Sequence, residues 1–409
     1  MSGGCVLLRG PSFRRVSWWL GPSPSWFVRG SDACASKEGD SAIPRGCENA
    51  PLFRRDLPRV ADTNDAPLEV LLLPFVQGVL AWPAGGRVLF LRARDSWALR
   101  RFDVSALICE QGFKPFSDAL QRAGLQVREE PEADDGERFD LVLVLPPRQR
   151  DEARALLARA VASVAPGGRV VACQANDEGA KSGEADLKAL AGAGGVLTKQ
   201  HCRVFWTQPL HSAADADLLA KWRALDAPRR IADGRYLSRP GVFAWDRLDA
   251  GSRLLVEHLP ADLGGRAADL GAGFGYLSDA LLRRNPGIVA LDLHEAEARA
   301  LAMARHNLAG QAQRVALGFL WHDVTAGLVQ RYDVIVTNPP FHAPGRAERP
   351  DIGRRFIAVA AEALNPGGRL WLVANRHLPY EAVLDEAFGQ ARIVAERDGY
   401  KVVEARKAR

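Results

Sequence analysis

Two landmarks occur twice in this chain, in the same order, and they restrict its architecture more than any other feature. Phe139-Asp140-Leu141-Val142-Leu143-Val144-Leu145-Pro146-Pro147 is echoed by Tyr332-Asp333-Val334-Ile335-Val336-Thr337-Asn338-Pro339-Pro340, with an aspartate six residues before the first proline in each. Pro166-Gly167-Gly168-Arg169-Val170 is echoed by Pro366-Gly367-Gly368-Arg369-Leu370. The first landmark is an apolar run rich in branched residues, which reads as a buried strand. Prolines cannot donate to a sheet ladder, so the backbone must leave the sheet at each Pro-Pro pair. A helical stretch follows the first landmark, from Arg150 to Val164, and another, from Tyr276 to Arg284, precedes the second. Strands alternating with helices imply a mostly parallel sheet flanked by helices, and the repetition implies two of them in tandem.

A length of 409 residues accommodates this duplication. We expect a first domain at 66–206, a linker at 207–238 with a helix from Ala213 to Leu225, and a second domain at 239–409. In the first domain, Glu69-Val70-Leu71-Leu72-Leu73-Pro74 and Gly86-Arg87-Val88-Leu89-Phe90-Leu91 read as strands. Residues 1–65 are dominated by Pro, Ser, Gly and Arg and hold no helical or strand period, so we expect a poorly ordered extension. An arginine-rich tail for RNA is the sharper reading of that segment.

The net charge of +5 and isoelectric point near 9.0 permit a polyanionic partner. The six cysteines form no C-x-x-C pair, which argues against zinc and against a disulfide framework, and for a reducing, cytoplasmic compartment. No apolar run reaches the roughly 18 residues a membrane helix needs.

The two copies differ where chemistry would sit. The second has Asn338 and Phe341 where the first has Leu145 and Arg148. Its early strand runs into Asp269-Leu270-Gly271-Ala272-Gly273-Phe274-Gly275, whereas the first copy reads Leu91-Arg92-Ala93-Arg94. Glycines permit a tight turn and close approach of a ligand. Their spacing is G-x-G-x-G, not the G-x-G-x-x-G of a dinucleotide site. Ile288-Val289-Ala290-Leu291-Asp292 reads as a second strand ending in an acid suited to ribose hydroxyls. Asp269 is placed to hold the loop or meet a cationic amino group, and Asp323, after a third strand, to reach an adenine amino group. Each acid has a plainer reading: a loop cap, a helix N-cap and a turn. Asn338, Pro339, Pro340 and Phe341 together offer an amide oxygen, two backbone carbonyls and a ring at a strand's carboxyl end, where ligands bind in open α/β sheets.

Glycine loop, acid and Asn-Pro-Pro-Phe in this order resemble the class I S-adenosylmethionine-dependent methyltransferases that act on amino groups. Pro240-Gly241-Val242-Phe243, Leu248-Asp249-Ala250-Gly251, Val373-Ala374-Asn375-Arg376-His377-Leu378-Pro379-Tyr380 and Tyr400-Lys401-Val402-Val403 narrow the resemblance to bacterial 16S ribosomal RNA guanine-N2 methyltransferases. It covers roughly residues 66–409. It implies two Rossmann-like methyltransferase domains of which the first is not catalytic, S-adenosylmethionine as cofactor with no metal, and 16S rRNA as partner. That RNA would be met in the small subunit or an assembly intermediate, by a monomer. Gly271, Gly273, Gly275, Asp269, Asp292, Asp323 and Asn338 would then bind the cofactor. Arg346, Arg349, Arg354 and Arg355 beyond the site, and Arg148 and Arg150 in the first copy, are candidates for phosphate. The segment from Ala343 to Pro350 is basic and departs from the Gly/Thr/Ser character expected of the family. Other acceptors stay open: a large-subunit guanine, a DNA adenine or a protein glutamine. A nicotinamide dehydrogenase and a non-enzymatic RNA-binding protein are the readings from other classes.

Overall fold

The computed structural model describes residues 65–130, 136–212, 215–340 and 349–409. In the first half, helix α1 (Ala66–Val76) precedes β1 (Val88–Leu91), β2 (Leu107–Glu110), α2 (Lys114–Arg122), β3 (Gln126–Arg128), β4 (Phe139–Val144), α3 (Arg150–Ala162), β5 (Val164–Ala175), α4 (Ala180–Ala191), β6 (Gly195–Lys199) and β7 (Cys202–Trp206). Helix α5 (Ala216–Arg223) and the hairpin of β8 (Arg229–Ile231) and β9 (Tyr236–Ser238) follow. The second half contains α6 (Ala250–His258), β10 (Gly264–Leu270), α7 (Tyr276–Arg284), β11 (Gly287–Glu295), α8 (Ala298–Asn307), β12 (Ala316–Trp321), β13 (Tyr332–Thr337), α9 (Pro350–Ala363), β14 (Leu364–Asn375), α10 (Glu381–Ala387), β15 (Gln390–Arg397) and β16 (Tyr400–Arg406).

The two seven-stranded sheets have the same order, β3-β2-β1-β4-β5-β7-β6 and β12-β11-β10-β13-β14-β16-β15. In each, six strands run in one direction and a single strand, β7 or β16, is inserted antiparallel between the fifth and the edge. The central strands bury both faces, as parallel strands under helices must. Separate apolar clusters therefore lie on either side of each sheet: Phe90 and Leu143 belong to one and Val142 and Leu157 to another, with Val336 and Ile335 divided in the same way. The strand order reverses between β1 and β4, and again between β10 and β13, so each sheet has a crevice at the carboxyl ends of those strands.

One expected strand is a helix. Glu69 to Pro74 lies inside α1, with Asp65 accepting from the Leu68 amide at 3.2 Å and a proline in the first turn. Leu68, Val70, Leu71, Leu72 and Phe75 are all buried. Only Glu69 and Val76 of α1 are exposed, so the helix shows no continuous polar face and its period is hidden in the sequence.

The stretch expected as a linker carries packed structure. Trp222 of α5 is buried under the Arg154 guanidinium, 4.6 Å from its ring centroid. Tyr236 is buried and donates to Asp279 on α7 at 2.7 Å. Asn307 on α8 bonds both Leu237 and Phe274, tying the hairpin to the glycine loop.

No helix among the described residues is long and apolar enough to cross a membrane. Three described cysteines are buried free thiols: Cys109, Cys173 and Cys202.

Candidate active site

The crevice of the second sheet is built from two adjacent strand ends. Register pairs Leu270 of β10 with Thr337 of β13, and the Thr337 hydroxyl donates to the Leu270 carbonyl at 2.7 Å. The glycine loop leaves one strand and Asn338-Pro339-Pro340 leaves the other, so sequence segments far apart meet within one residue of this bond.

Gly271, Gly273 and Gly275 all have positive φ. At Gly273 an added Cβ would meet nothing within 4 Å, so this part of the loop faces open space. At Gly275 a Cβ would press on Ala304 and Leu308 of the α8 end, at 3.2–3.4 Å, so glycine serves packing there as well as the turn. The His294 carbonyl accepts from the Gly271 amide at 2.8 Å and pins the loop to β11.

The acid at the end of that neighbouring strand is Glu295, not Asp292. Strand β11 continues three residues beyond Asp292 and ends at Glu295, because Leu270 pairs with His294. Asp292 lies inside the strand, buried, where Arg266 donates to it at 2.8 Å and the Tyr332 hydroxyl at 3.0 Å. Glu295 stands beside the loop: Oε2 accepts from the Gly273 amide at 2.7 Å and Oε1 from the Glu297 amide at 2.8 Å. Burial raises its pKa. A carboxylate has about four acceptor sites, so both oxygens retain capacity for hydroxyl donors.

Asp269 is fully buried at the base of the loop. One oxygen accepts from the Ser278 hydroxyl at 2.7 Å, and the other has no partner. Burial pushes its carboxyl up to about 7, opposed by the Ser278 bond and reinforced by the charge of Glu295. An orphan buried acceptor of this kind fits a cationic donor, since leaving it unpaired costs about 1–3 kcal/mol. Asp323 takes up the turn reading: Oδ1 accepts from the amide of Thr325 at 2.9 Å and its hydroxyl at 2.7 Å.

Asn338 is half-buried, and its amide is held from behind. Nδ2 donates to Asp249 Oδ2 at 3.0 Å and to Ser252 Oγ at 2.9 Å. Asp249 is also the N-cap of α6 and accepts from the Ser252 amide at 2.8 Å. A carboxylate only accepts, so the amide must turn its NH2 group toward α6. That fixes Oδ1 on the opposite side. Gly251 permits this contact, because a Cβ there would lie 2.8 Å from the Tyr400 ring and 3.2 Å from Asp249 Oδ2. Pro339 is buried and Pro340 exposed. Phe341 and Arg346 lie outside the described residues.

The candidate arginines divide. Arg355 is tied to the Thr325 carbonyl at 3.0 Å and to Glu362 at 2.9 Å. Arg349 is paired with Asp351 at 2.7 Å, and Arg150 lies 3.9 Å from Asp186. Arg148 and Arg354 are exposed, and their guanidinium groups have no ion pair among the described residues. Exposed Arg376, at the end of β14 beside Asn338's strand, shares that state. Asp249, Ser252, Glu295 and Arg376 were not singled out as site residues from the sequence. An aspartate opening an apolar helix was the available signal for Asp249.

A glycine loop with an open face, a buried unpaired carboxyl under it and an acid at the next strand's end suit an aminoacyl-ribose ligand. This crevice in a duplicated α/β chain defines a class I methyltransferase. Residues 233–404 match the family model described as the methyltransferase small domain. Ribosomal RNA small subunit methyltransferase C of Vibrio cholerae is 30% identical over 269 residues, 66% of this chain and 77% of that protein. The protein of the same name from Shewanella pealeana is 34% identical over 270 residues, 65% of this chain and 77% of its own. Among solved structures, the T. thermophilus 16S rRNA N2 G1207 methyltransferase in complex with AdoMet and guanosine superposes with a TM-score of 0.69 at 28% identity, covering 84% of this chain and 92% of that one. The chain belongs to the ribosomal RNA small subunit methyltransferase C family.

Proposed function

We propose that this protein transfers a methyl group from S-adenosylmethionine to the N2 amine of a guanine in 16S rRNA, at the position equivalent to that of the T. thermophilus relative. The observation that carries the reading is the immobilised amide of Asn338. The guanine N2 lone pair is delocalised into the ring and must turn out of plane to attack. Asn338 Oδ1 and the Pro339 carbonyl each accept one N–H, which favours the pyramidal nitrogen of the transition state. Both Nδ2 hydrogens are already engaged by Asp249 and Ser252, so the acceptor is aimed before substrate arrives. Phe341 stacks on the base, a contact worth about 1–3 kcal/mol. A guanine within a duplex must first be unstacked.

S-adenosylmethionine, when bound, supplies a methyl carbon made electrophilic by its sulfonium. Asp269 meets its amino group, Glu295 takes the ribose hydroxyls in place of Asp292, and Gly271, Gly273 and Gly275 let the backbone come close. Asp323 keeps one oxygen for the adenine amine. Arg148, Arg354 and Arg376, which have no ion pair among the described residues, contact phosphate, and Arg346 and Arg349 are further candidates. The protein works as a monomer on the small subunit or an assembly intermediate.

Asn338→Ala tests this reading. Removing a preorganised acceptor of developing charge should lower kcat by about 10²–10³-fold, while S-adenosylhomocysteine affinity stays within a few-fold. Wild-type turnover by that variant would refute the role of the amide. Mapping methylated guanines in 16S rRNA from cells lacking the gene tests the acceptor, and an unchanged map would refute it.

A further inference from the structure

The carboxyl ends of the first sheet's strands, where a ligand crevice would lie, are turned to another use. Arg92 follows β1 where Gly271 follows β10. Its guanidinium donates to buried Glu152 at 3.0 Å, and Glu152 also accepts from Arg299 on α8 of the second half at 2.6 Å. Nearby, the segment after β2 lies along the segment after β11 like an added strand. The Lys114 amide donates to the Ala296 carbonyl at 2.8 Å, and the Ala298 amide to the Gly112 carbonyl at 2.9 Å. Phe113 and Glu297 face each other as an antiparallel bridge. The indole N–H of Trp321 is shared by the Gly112 carbonyl at 3.0 Å and the Ala296 carbonyl at 2.8 Å. Lys114 lies 5.1 Å from the Trp321 ring centroid.

These contacts end on Glu295. Its Oε1 is held by the Glu297 amide, inside the clamped segment, and its Oε2 by the Gly273 amide. The clamp is hydrogen-bonded on the other side too. Gln111 is buried, accepts from the Phe113 amide at 2.8 Å and donates to the Ala93 carbonyl at 2.6 Å.

We infer that Gly112, Phe113 and Lys114 of the non-catalytic half, with Trp321 and the Glu152–Arg299 pair, set the position of Glu295 and hence the affinity for the methyl donor. The inference rests on the proposed cofactor role of Glu295. Trp321 and Arg299 are positioning residues: they act on the cofactor through the clamped backbone and touch no reacting atom. Coupling of this kind is reciprocal, so cofactor binding must also tighten the front half's loop.

The test uses the full chain and S-adenosylhomocysteine as probe. Trp321→Phe keeps a ring for Lys114 and removes the shared N–H. We expect its dissociation constant to rise about ten-fold, with the loss in KM for the methyl donor exceeding that in kcat. Hydrogen–deuterium exchange on wild type should show a peptide covering 111–116 slowing when the probe binds, together with one covering 271–276. Glu152→Gln provides a second variant, expected to weaken binding in the same direction. If the probe binds wild type and slows only the glycine-loop peptide, or if both variants bind as tightly as wild type, the inference is wrong. If wild type does not bind the probe at all, the cofactor reading itself has failed, and this inference falls with it.

Discussion

Asp269→Asn should make the free protein more stable, and by an amount that grows with pH. Burial carries the Asp269 carboxyl from an ordinary 3.8 to about 7. A tenfold change in proton affinity is worth about 1.4 kcal/mol, so holding this group ionised in the folded state costs about 4 kcal/mol more than in the unfolded chain. The side chain is fully buried, so solvent screening does not reduce that figure. Below the unfolded value both states carry the proton and nothing is lost. The loss accumulates as pH rises between about 4 and 7 and is complete above it. From pH 5 to pH 8 wild type should therefore lose about 2–3 kcal/mol on this account. Asparagine keeps an acceptor for Ser278 and never ionises, so it escapes the loss. Urea denaturation of both proteins, free of cofactor, at pH 5, 6.5 and 8 measures the difference. A gap that stays level across those three values would refute the reasoning. The same variant should bind S-adenosylhomocysteine at least ten-fold more weakly, because a neutral amide cannot supply the charge-assisted hydrogen bond, worth about 1.5–3 kcal/mol, that an ammonium makes with a carboxylate.

Two further outcomes separate neighbouring residues. Asp249→Ala leaves the Asn338 amide held by Ser252 alone and removes the α6 cap, worth about 1 kcal/mol; turnover should fall at least ten-fold while calorimetry shows cofactor affinity little changed, and full turnover would count against the orienting role. Glu295→Gln should weaken S-adenosylhomocysteine binding at least ten-fold, whereas Asp292→Asn should leave that affinity within a few-fold and lower the melting temperature, because it removes the buried carboxylate that holds Arg266 and the Tyr332 hydroxyl. The reverse pattern in calorimetry and melting would restore Asp292 to the ribose.

Much of the fold was legible because the signals were local. Helix α7 occupies the stretch from Tyr276 to Arg284 bounded by a glycine and Asn-Pro-Gly. The repeated landmarks located β4, β5, β13 and β14. Helix α1 reads as a strand because burial of most of its residues leaves no continuous polar face to mark a helix. The end of β11 was set three residues early because an acid looks like a strand's limit. Only the pairing of Leu270 with His294 moves that limit to Glu295. Arg355 looked available until the fold brought Thr325 and Glu362 to it. The bond from the Trp321 indole to the Gly112 carbonyl spans 209 residues, and no local window along the chain contains both.

The turn at Arg92 has a consequence of its own. Its φ of 55° nearly matches the 74° of Gly271 at the corresponding strand exit. A residue with a Cβ holds that left-handed shape only under steric opposition, of order 1–2 kcal/mol. The two halves thus leave the first strand of their sheets through the same left-handed corner, one on a glycine and the other on an arginine whose guanidinium holds Glu152. Loosening Arg92 would strip one of two cations from buried Glu152, and so slacken the carboxylate that fastens α3 to α8 across the two halves.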